Sequence, residues 1–171
     1  PILSRIFLSA AANWQFKGLV ISPSHAPDYE TNTLVVVESH NWHGPSSNVV
    51  IDNCELYSVA DASAWSADDW NTLACSAIQV SGDCMTVIDN TCLNVNFGIT
   101  VSGNNALVSG NLVQNFAGDG LRGLGNDLVF EYNVVKNCYA VNGNHDDGFQ
   151  SWSINDDPPR ERVVLRGNTF I

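Results

Sequence analysis

The sequence predicts an all-β fold, a β-solenoid whose short coils stack on one another and form parallel sheets. Five segments end alike, with alternating apolar residues followed by an asparagine: Asn53, Asn90, Asn111, Asn133 and Asn168. Their numbers differ by 37, 21, 22 and 35, so two intervals match one short coil and two match the same coil with an insertion. A short repeat built on β-branched alternation, rather than on leucines, is typical of a stacked β-solenoid.

A second apolar segment precedes each asparagine at a nearly constant distance, and this distance predicts the register of the coils. The segments at Ala77, Gly98 and Gly120 each start 13 residues before the next asparagine, and the one at Gly148 starts 20 before it. Because side chains alternate along a strand, one set points inward and its neighbours point outward. The inward set is Ile78, Ile99, Leu121 and Phe149, and the outward set is Gln79, Thr100, Arg122 and Gln150.

The asparagines are predicted to form a ladder at one turn of every coil. Asparagine tolerates the left-handed conformation, and its amide can hydrogen-bond the coils above and below. We therefore interpret these five residues as part of the scaffold.

Insertions are predicted at one corner of the stack. The turn after the asparagine takes 8 and 9 residues in the middle coils, but 24 after Asn53 and 15 after Asn133. We expect one β-helix domain over residues 1–171, with loops 23–33, 58–74, 142–147 and 155–162 projecting as the walls of a cleft. Another loop carries His40 and His43 on either side of Trp42.

Composition excludes some partners. The net charge of −11 repels phosphate backbones, so we expect no nucleic acid, and no apolar run reaches the length of a membrane span. The five cysteines lack metal-ligand spacing, and we expect them to serve as small apolar residues inside the coil, although a disulfide between Cys75 and Cys84 stays open. Since uncapped coils present bare strand edges, we expect a fragment without end caps or end-to-end self-association.

The coil period and the asparagine turn resemble the right-handed parallel β-helix of the pectate-lyase-like superfamily, which includes pectate lyases, polygalacturonases, alginate lyases and phage tailspikes. The resemblance covers roughly residues 18–171 and concerns the fold. It implies a carbohydrate-active protein that is extracellular or at the cell surface, with a polysaccharide or oligosaccharide as its partner. The Gly-His-Gly and Arg-Ile-Lys signatures of polygalacturonases and the Trp-Ile-Asp-His motif of pectate lyases are absent. No catalytic residue is therefore transferred from these families.

An acidic column is the predicted catalytic site. The register places Asp119 beneath Asp147, whereas the preceding coils have Phe97 and Ser76 at this position, so the turn itself does not require an acid. Stacked carboxylates about 4.8 Å apart repel each other, and one of them should hold its proton to higher pH. Together with Asp146 they could supply the acid and base of glycosidic cleavage, and His145 is a further acid/base or orienting group.

The outward neighbours of this column are predicted to bind substrate. Arg122 and Gln150 stack as adjacent donors that can hold hydroxyls or a carboxylate. Trp152, with Trp65 or Trp70 from the long loop, is a candidate platform for a sugar ring. The sequence requires no cofactor, although the acidic cluster is also a candidate Ca²⁺ site, and metal ligands are not assigned.

Three functions fit this pattern. The first is a polysaccharide-degrading glycoside hydrolase that uses the carboxylate cluster. The second is a polysaccharide lyase or uronate epimerase, in which Arg122 or His145, with Ca²⁺, would stabilise an enolate. The third is a non-catalytic β-helix that binds glycan or spaces other domains.

Overall fold

The computed structural model describes residues 2–143, 146–153 and 157–171, which form a right-handed parallel β-helix. The strands in chain order are β1 Ile2–Leu3, β2 Ile6–Ser9, β3 Gln15–Lys17, β4 Val20–Ile21, β5 Val35–Glu38, β6 Val50–Asp52, β7 Glu55–Tyr57, β8 Ile78–Ser81, β9 Thr86–Ile88, β10 Thr91–Val95, β11 Ile99–Ser102, β12 Leu107–Ser109, β13 Leu112–Phe116, β14 Leu121–Gly123, β15 Val129–Glu131, β16 Val134–Cys138, β17 Phe149–Gln150, β18 Val164–Arg166 and β19 Thr169–Phe170. A 3₁₀ turn spans Pro23–His25, and one helix, α1, spans Ala67–Leu73.

Every third strand joins the same sheet, and all pairs are parallel. Sheet A has the order β1-β4-β7-β10-β13-β16-β19, sheet B the order β17-β14-β11-β8-β5-β2, and sheet C the order β18-β15-β12-β9-β6-β3. Each coil therefore contributes one strand to each sheet and contacts the coils on either side of it, as expected of a solenoid.

The predicted register of sheet B is confirmed. Ile78 pairs with Ile99, Ile99 with Leu121, and Leu121 with Phe149. The first three of these side chains are at most 1% exposed, and Phe149 packs against the same interior. The outward set pairs in the same way, from Gln79 through Thr100 and Arg122 to Gln150. Apolar burial thus decides which side chains face outward, and with it the composition of any surface site.

Four of the five predicted asparagines form a ladder, in which Asn90, Asn111 and Asn133 are buried. The side-chain Nδ2 of Asn90 donates to Oδ1 of Asn111 at 3.0 Å, that of Asn111 to Asn133 at 2.9 Å, and that of Asn133 to Asn168 at 2.9 Å. Each acceptor oxygen also takes the backbone N–H of the preceding asparagine. The ladder therefore satisfies polar groups that would otherwise be buried without partners.

Asn53 is not part of this ladder, and the prediction for it is wrong. Val50 pairs with Thr86 and Asp52 with Ile88, so Asn53 lies beside Asp89, and the position of Asn90 is taken by Cys54. The backbone N–H of Cys54 donates to Oδ1 of Asn90 at 2.9 Å. Asn53 is exposed on the surface of the corner.

The left-handed conformation predicted for the asparagines occurs at Asn53 and not at the other four. The left-handed residues of this corner lie immediately before the ladder position: Gly18, Asn53, Asp89, Gly110, Tyr132 and Gly167, with φ between 49° and 68°. The four ladder asparagines do not have positive φ. The corner thus separates two tasks, because one residue makes the turn and the next supplies the buried amide.

The loops 23–33 and 58–74 pack against each other. The hydroxyl of Tyr29 donates to the carbonyl of Leu73 at 2.6 Å, and that of Thr31 donates to the carbonyl of Thr72 at 2.8 Å. Helix α1 begins with a capping box between Ser66 and Asp69. Within the described ranges, no helix is long and apolar enough to cross a membrane.

Candidate functional site

A well-formed cleft lies where the corner between sheets A and B meets the outward face of sheet B. It has a volume of about 490 Å³ and is lined by Phe97, Asp119, Arg122, Asp146, Gln150 and Trp152, among others. Five of the eight lining residues are among the predicted site residues. The structure therefore brings together side chains from three successive coils, such as Arg122 and Gln150, which are 28 positions apart in sequence, because the coils stack in register.

Asp119 holds two neighbours in place and is only 4% exposed. Its Oδ2 accepts a hydrogen bond from Nε of Arg122 at 2.5 Å, and its Oδ1 accepts the backbone N–H of Asp147 at 3.0 Å. Such charge-assisted contacts are short and strong. Asp119 therefore fixes the position of Arg122 and of the turn before Gly148.

The guanidinium of Arg122 lies between two aromatic rings. Its central carbon is 3.6 Å from the centroid of Phe97 and 5.6 Å from that of Trp152. Cation–π contact of this kind favours a desolvated guanidinium and restricts its orientation. Within the part of the chain that the structure describes, no hydrogen bond or ion pair engages the terminal amino groups of Arg122. These amino groups remain as donors for a ligand.

Asp147 is stacked on Asp119 in the backbone register, as predicted. Gly120 donates its N–H to the carbonyl of Asp147 at 2.8 Å. The carboxylate of Asp119 faces the backbone N–H of Asp147, whereas the carboxylate of Asp147 is approached by Nε2 of Gln150 at 3.4 Å. The sharing of a proton between Asp119 and Asp147 therefore stays a prediction. The contacts of Asp119 indicate that it orients Arg122 and the backbone of Asp147.

Phe97 is a site residue that the sequence reasoning passed over. It occupies the column position of Asp119 one coil earlier, and its ring lies against the turn at Gly118. A Cβ on Gly118 would come within 2.4 Å of the Phe97 ring, so the glycine leaves room for it. The register could have identified Phe97, because it occupies the position of Asp119 one coil earlier and so borders the same cleft.

Trp65 and Trp70 do not lie in the cleft, and the expectation that they form a sugar platform is not supported by their positions. Trp70 is 3% exposed and packs against Ala117, with its ring stacked on Tyr139 at 4.8 Å. Trp65 contacts the ring of Trp70 edge-on at 5.0 Å. This cluster packs at the corner just before Gly118. Burial of the indole there removes a large apolar surface from water, which stabilises the corner.

Trp152 is 39% exposed and borders the cleft as predicted. Its backbone carbonyl accepts a hydrogen bond from Nε of Arg160, in the loop 155–162, at 3.3 Å. His145, the remaining predicted catalytic residue, lies outside the described residues. Among residues 2–143, 146–153 and 157–171, no group of three His, Cys, Asp or Glu side chains is arranged to hold a metal ion.

The reactivity of the five cysteines provides a test of their burial and of the acidic cluster near Cys138. None forms a disulfide, and Cys84 and Cys138 are exposed, whereas the other three are buried. Burial raises the pKa of the Cys92 thiol to about 12. The pKa of Cys138 is raised first by burial and then by the negative charges of Asp146, Asp119 and Asp147.

We expect iodoacetamide at pH 8 to modify Cys84 first and Cys138 more slowly, because the thiolate is the reactive form and a raised pKa makes it scarcer. The buried Cys54, Cys75 and Cys92 should react only after denaturation. Time-resolved peptide mass spectrometry measures the order. Modification of Cys92 in the folded protein as fast as Cys84 would contradict this structure of the core.

Comparison with family models, with curated proteins and with solved structures found no match to this chain. The parallel β-helix architecture is thus seen directly in the three sheets, and none of the comparisons supports membership of the pectate-lyase-like superfamily.

Proposed function

We propose that this β-helix is a polysaccharide-degrading glycoside hydrolase and that its substrate lies in the cleft bounded by Arg122 and Trp152. The observation that carries the proposal is the combination of acidic side chains with an arginine held between two aromatic rings, in one open cleft. Carboxylates are the acid, base or nucleophile of most glycosidases. Aromatic rings and fixed donors are suited to the apolar faces and hydroxyl groups of sugars.

The residues divide into two roles under this proposal. Asp146 and Asp147 are the acid/base pair, and His145 keeps its predicted role as an additional acid/base or orienting group. Asp119 is a positioning residue, because both of its oxygens hold other groups of the site. Arg122 and Gln150 bind sugar hydroxyls or a carboxylate, and Trp152 supports a sugar ring.

Glycan binding without cleavage is the second candidate. The engagement of both Asp119 oxygens favours it, since one of the three predicted carboxylates is then occupied with structure. Elimination by a lyase or epimerase is the third, and the placement of Arg122 in the cleft is the observation in its favour, because a cation can stabilise an enolate. Ca²⁺ stays part of that third proposal.

The test is the release of reducing ends from xylan, galactomannan, laminarin, polygalacturonate and alginate. We expect Asp146→Asn and Asp147→Asn each to lower turnover on the cleaved polymer at least about a hundredfold, because general acid–base catalysis contributes this much or more. The matched control is Asp28→Asn, an exposed acid in the loop 23–33, which should leave turnover unchanged.

Each alternative has its own outcome. Binding of a polymer without new reducing ends would replace hydrolysis by glycan binding. An unsaturated product that absorbs in the ultraviolet and disappears with EDTA would replace it by elimination. If the protein neither binds nor cleaves any of the five polymers, the proposal is wrong.

A further inference from the structure

A small hairpin after β5 presents one tryptophan to solvent. His40 and Gly44 exchange both backbone hydrogen bonds at 2.9 Å, and Nδ1 of His40 accepts the backbone N–H of Trp42 at 3.2 Å. The indole of Trp42 is 88% exposed, although large aromatic side chains usually bury most of their surface. The ring of His40 meets it edge-on at 5.8 Å. The hairpin thus holds an apolar ring at the surface by hydrogen bonds, not by core packing.

The surroundings of this ring are polar. Trp42 borders a hollow of about 230 Å³ together with Glu38, Ser39, His40 and Asn41. These side chains offer carboxylate, hydroxyl, imidazole and amide groups beside an aromatic face. Sugar binding requires such a combination, in which a flat apolar surface is flanked by a few fixed hydrogen-bonding groups.

The register places this hollow on the same face as the cleft. Val36 pairs with Gln79, and the same row continues through Thr100 and Arg122 to Gln150. Glu38 ends β5 two residues after Val36, and Trp152 follows β17 two residues after Gln150 and borders the cleft. Four strand spacings separate their coils, which corresponds to about 19 Å along the stack.

The two strands next to the hairpin, β8 and β11, have an uncharged outward face. On β8 and β11 the outward residues are Gln79, Ser81, Thr100 and Ser102, which carry only amide or hydroxyl groups. In a chain of net charge −11, these two strands form a neutral stretch between Glu38 on one side and Arg122 on the other. A row of neutral donors and acceptors matches a chain of hydroxyl groups better than it matches a charged polymer.

We propose that the hairpin carrying Trp42 is a second carbohydrate-binding platform and that the ligand is a linear glycan whose uncharged middle units lie along this row. The inference rests on the proposed function, since it takes the Trp152 cleft as the other end of the binding surface. A glycan long enough to reach both rings gains two stacking contacts at once, whereas a short one gains only the contact at the cleft.

Titration calorimetry with the disaccharide and the hexasaccharide prepared from each of the five polymers tests this. For the oligosaccharide series that binds, we expect Trp42→Ala to raise the Kd of the hexasaccharide about three- to tenfold and to leave the disaccharide unchanged. Trp42→Phe should restore part of the loss. Trp152→Ala should weaken both lengths, because both contact the cleft.

Tyr132→Ala is the matched control, since Tyr132 is 60% exposed at a different corner, and it should change neither Kd. Unchanged hexasaccharide affinity in Trp42→Ala, with a loss in Trp152→Ala, would overturn this inference and leave the cleft intact. An equal loss for both lengths in Trp42→Ala would also overturn it. No effect of Trp152→Ala on either length would overturn the proposed cleft instead, and no binding to the unaltered protein would overturn both.

Discussion

Replacing Arg122 by alanine should lower the free energy of unfolding by about 3 kcal/mol. Asp119 is 4% exposed, and its Oδ2 would lose the Arg122 partner and be left as a charge in a buried site. The guanidinium also fills the space between Phe97 and Trp152, so its removal loses packing as well. Urea denaturation followed by circular dichroism gives the change, with an unaltered dependence on denaturant as the sign that the fold is retained.

A double variant separates charge from packing. Arg122→Ala combined with Asp119→Asn removes the stranded charge, so it should be more stable than Arg122→Ala alone. Arg162→Ala is the control, because Arg162 pairs with Asp127 on the exposed surface and should give no measurable change. If the double variant loses the sum of the two single effects or more, the ion pair is not what stabilises this corner.

Replacing Asn111 by alanine should cost about 3 kcal/mol or more, because several buried groups lose their partners together. Its Oδ1 accepts from both the backbone N–H and Nδ2 of Asn90, and its Nδ2 donates to the carbonyl of Val87. Thermal and urea unfolding measure the loss.

The matched control for this variant is Asn53→Gly. Asn53 is exposed and has a φ of 49°, a conformation that glycine adopts freely, so this change should be nearly neutral. Similar losses at the two positions would mean that Asn53 belongs to the ladder after all.

The register could be predicted because the inside of the coil tolerates only one alternation. Ile78, Ile99 and Leu121 are each at most 1% exposed, and a shift by one residue would turn them toward water. Asn53 could not be placed by the same reasoning. The letters Val-Ile-Asp-Asn occur both at 50–53 and at 87–90, yet Ile51 pairs with Val87 because both must point inward. Interior packing therefore overrides local sequence identity.

The sequence could predict which residues of the site lie beside one another, but not the direction in which their side chains point. Register alone places Asp119 beside Asp147, whereas the contact of Asp119 with Nε of Arg122 depends on side-chain torsions. Loop lengths likewise do not reveal where a loop folds back. Trp70 is buried in a cluster with Ala62, Ala74 and Ala117 and is not among the residues that line the cleft.

The asparagine ladder sets a rule for the order in which coils can follow one another. The amide nitrogens of Asn90, Asn111 and Asn133 each donate one hydrogen bond to the oxygen of the next ladder asparagine and another to a carbonyl of the preceding coil. A coil without the asparagine is acceptable ahead of the first amide, where Cys54 needs only to donate its backbone N–H. The same coil placed between Asn111 and Asn133 would leave the backbone N–H of Asn111 and one N–H of its amide without the acceptor that Asn133 provides. A coil that lacks the asparagine can therefore precede the ladder but cannot be inserted within it. A duplicated coil inside the ladder must keep its asparagine.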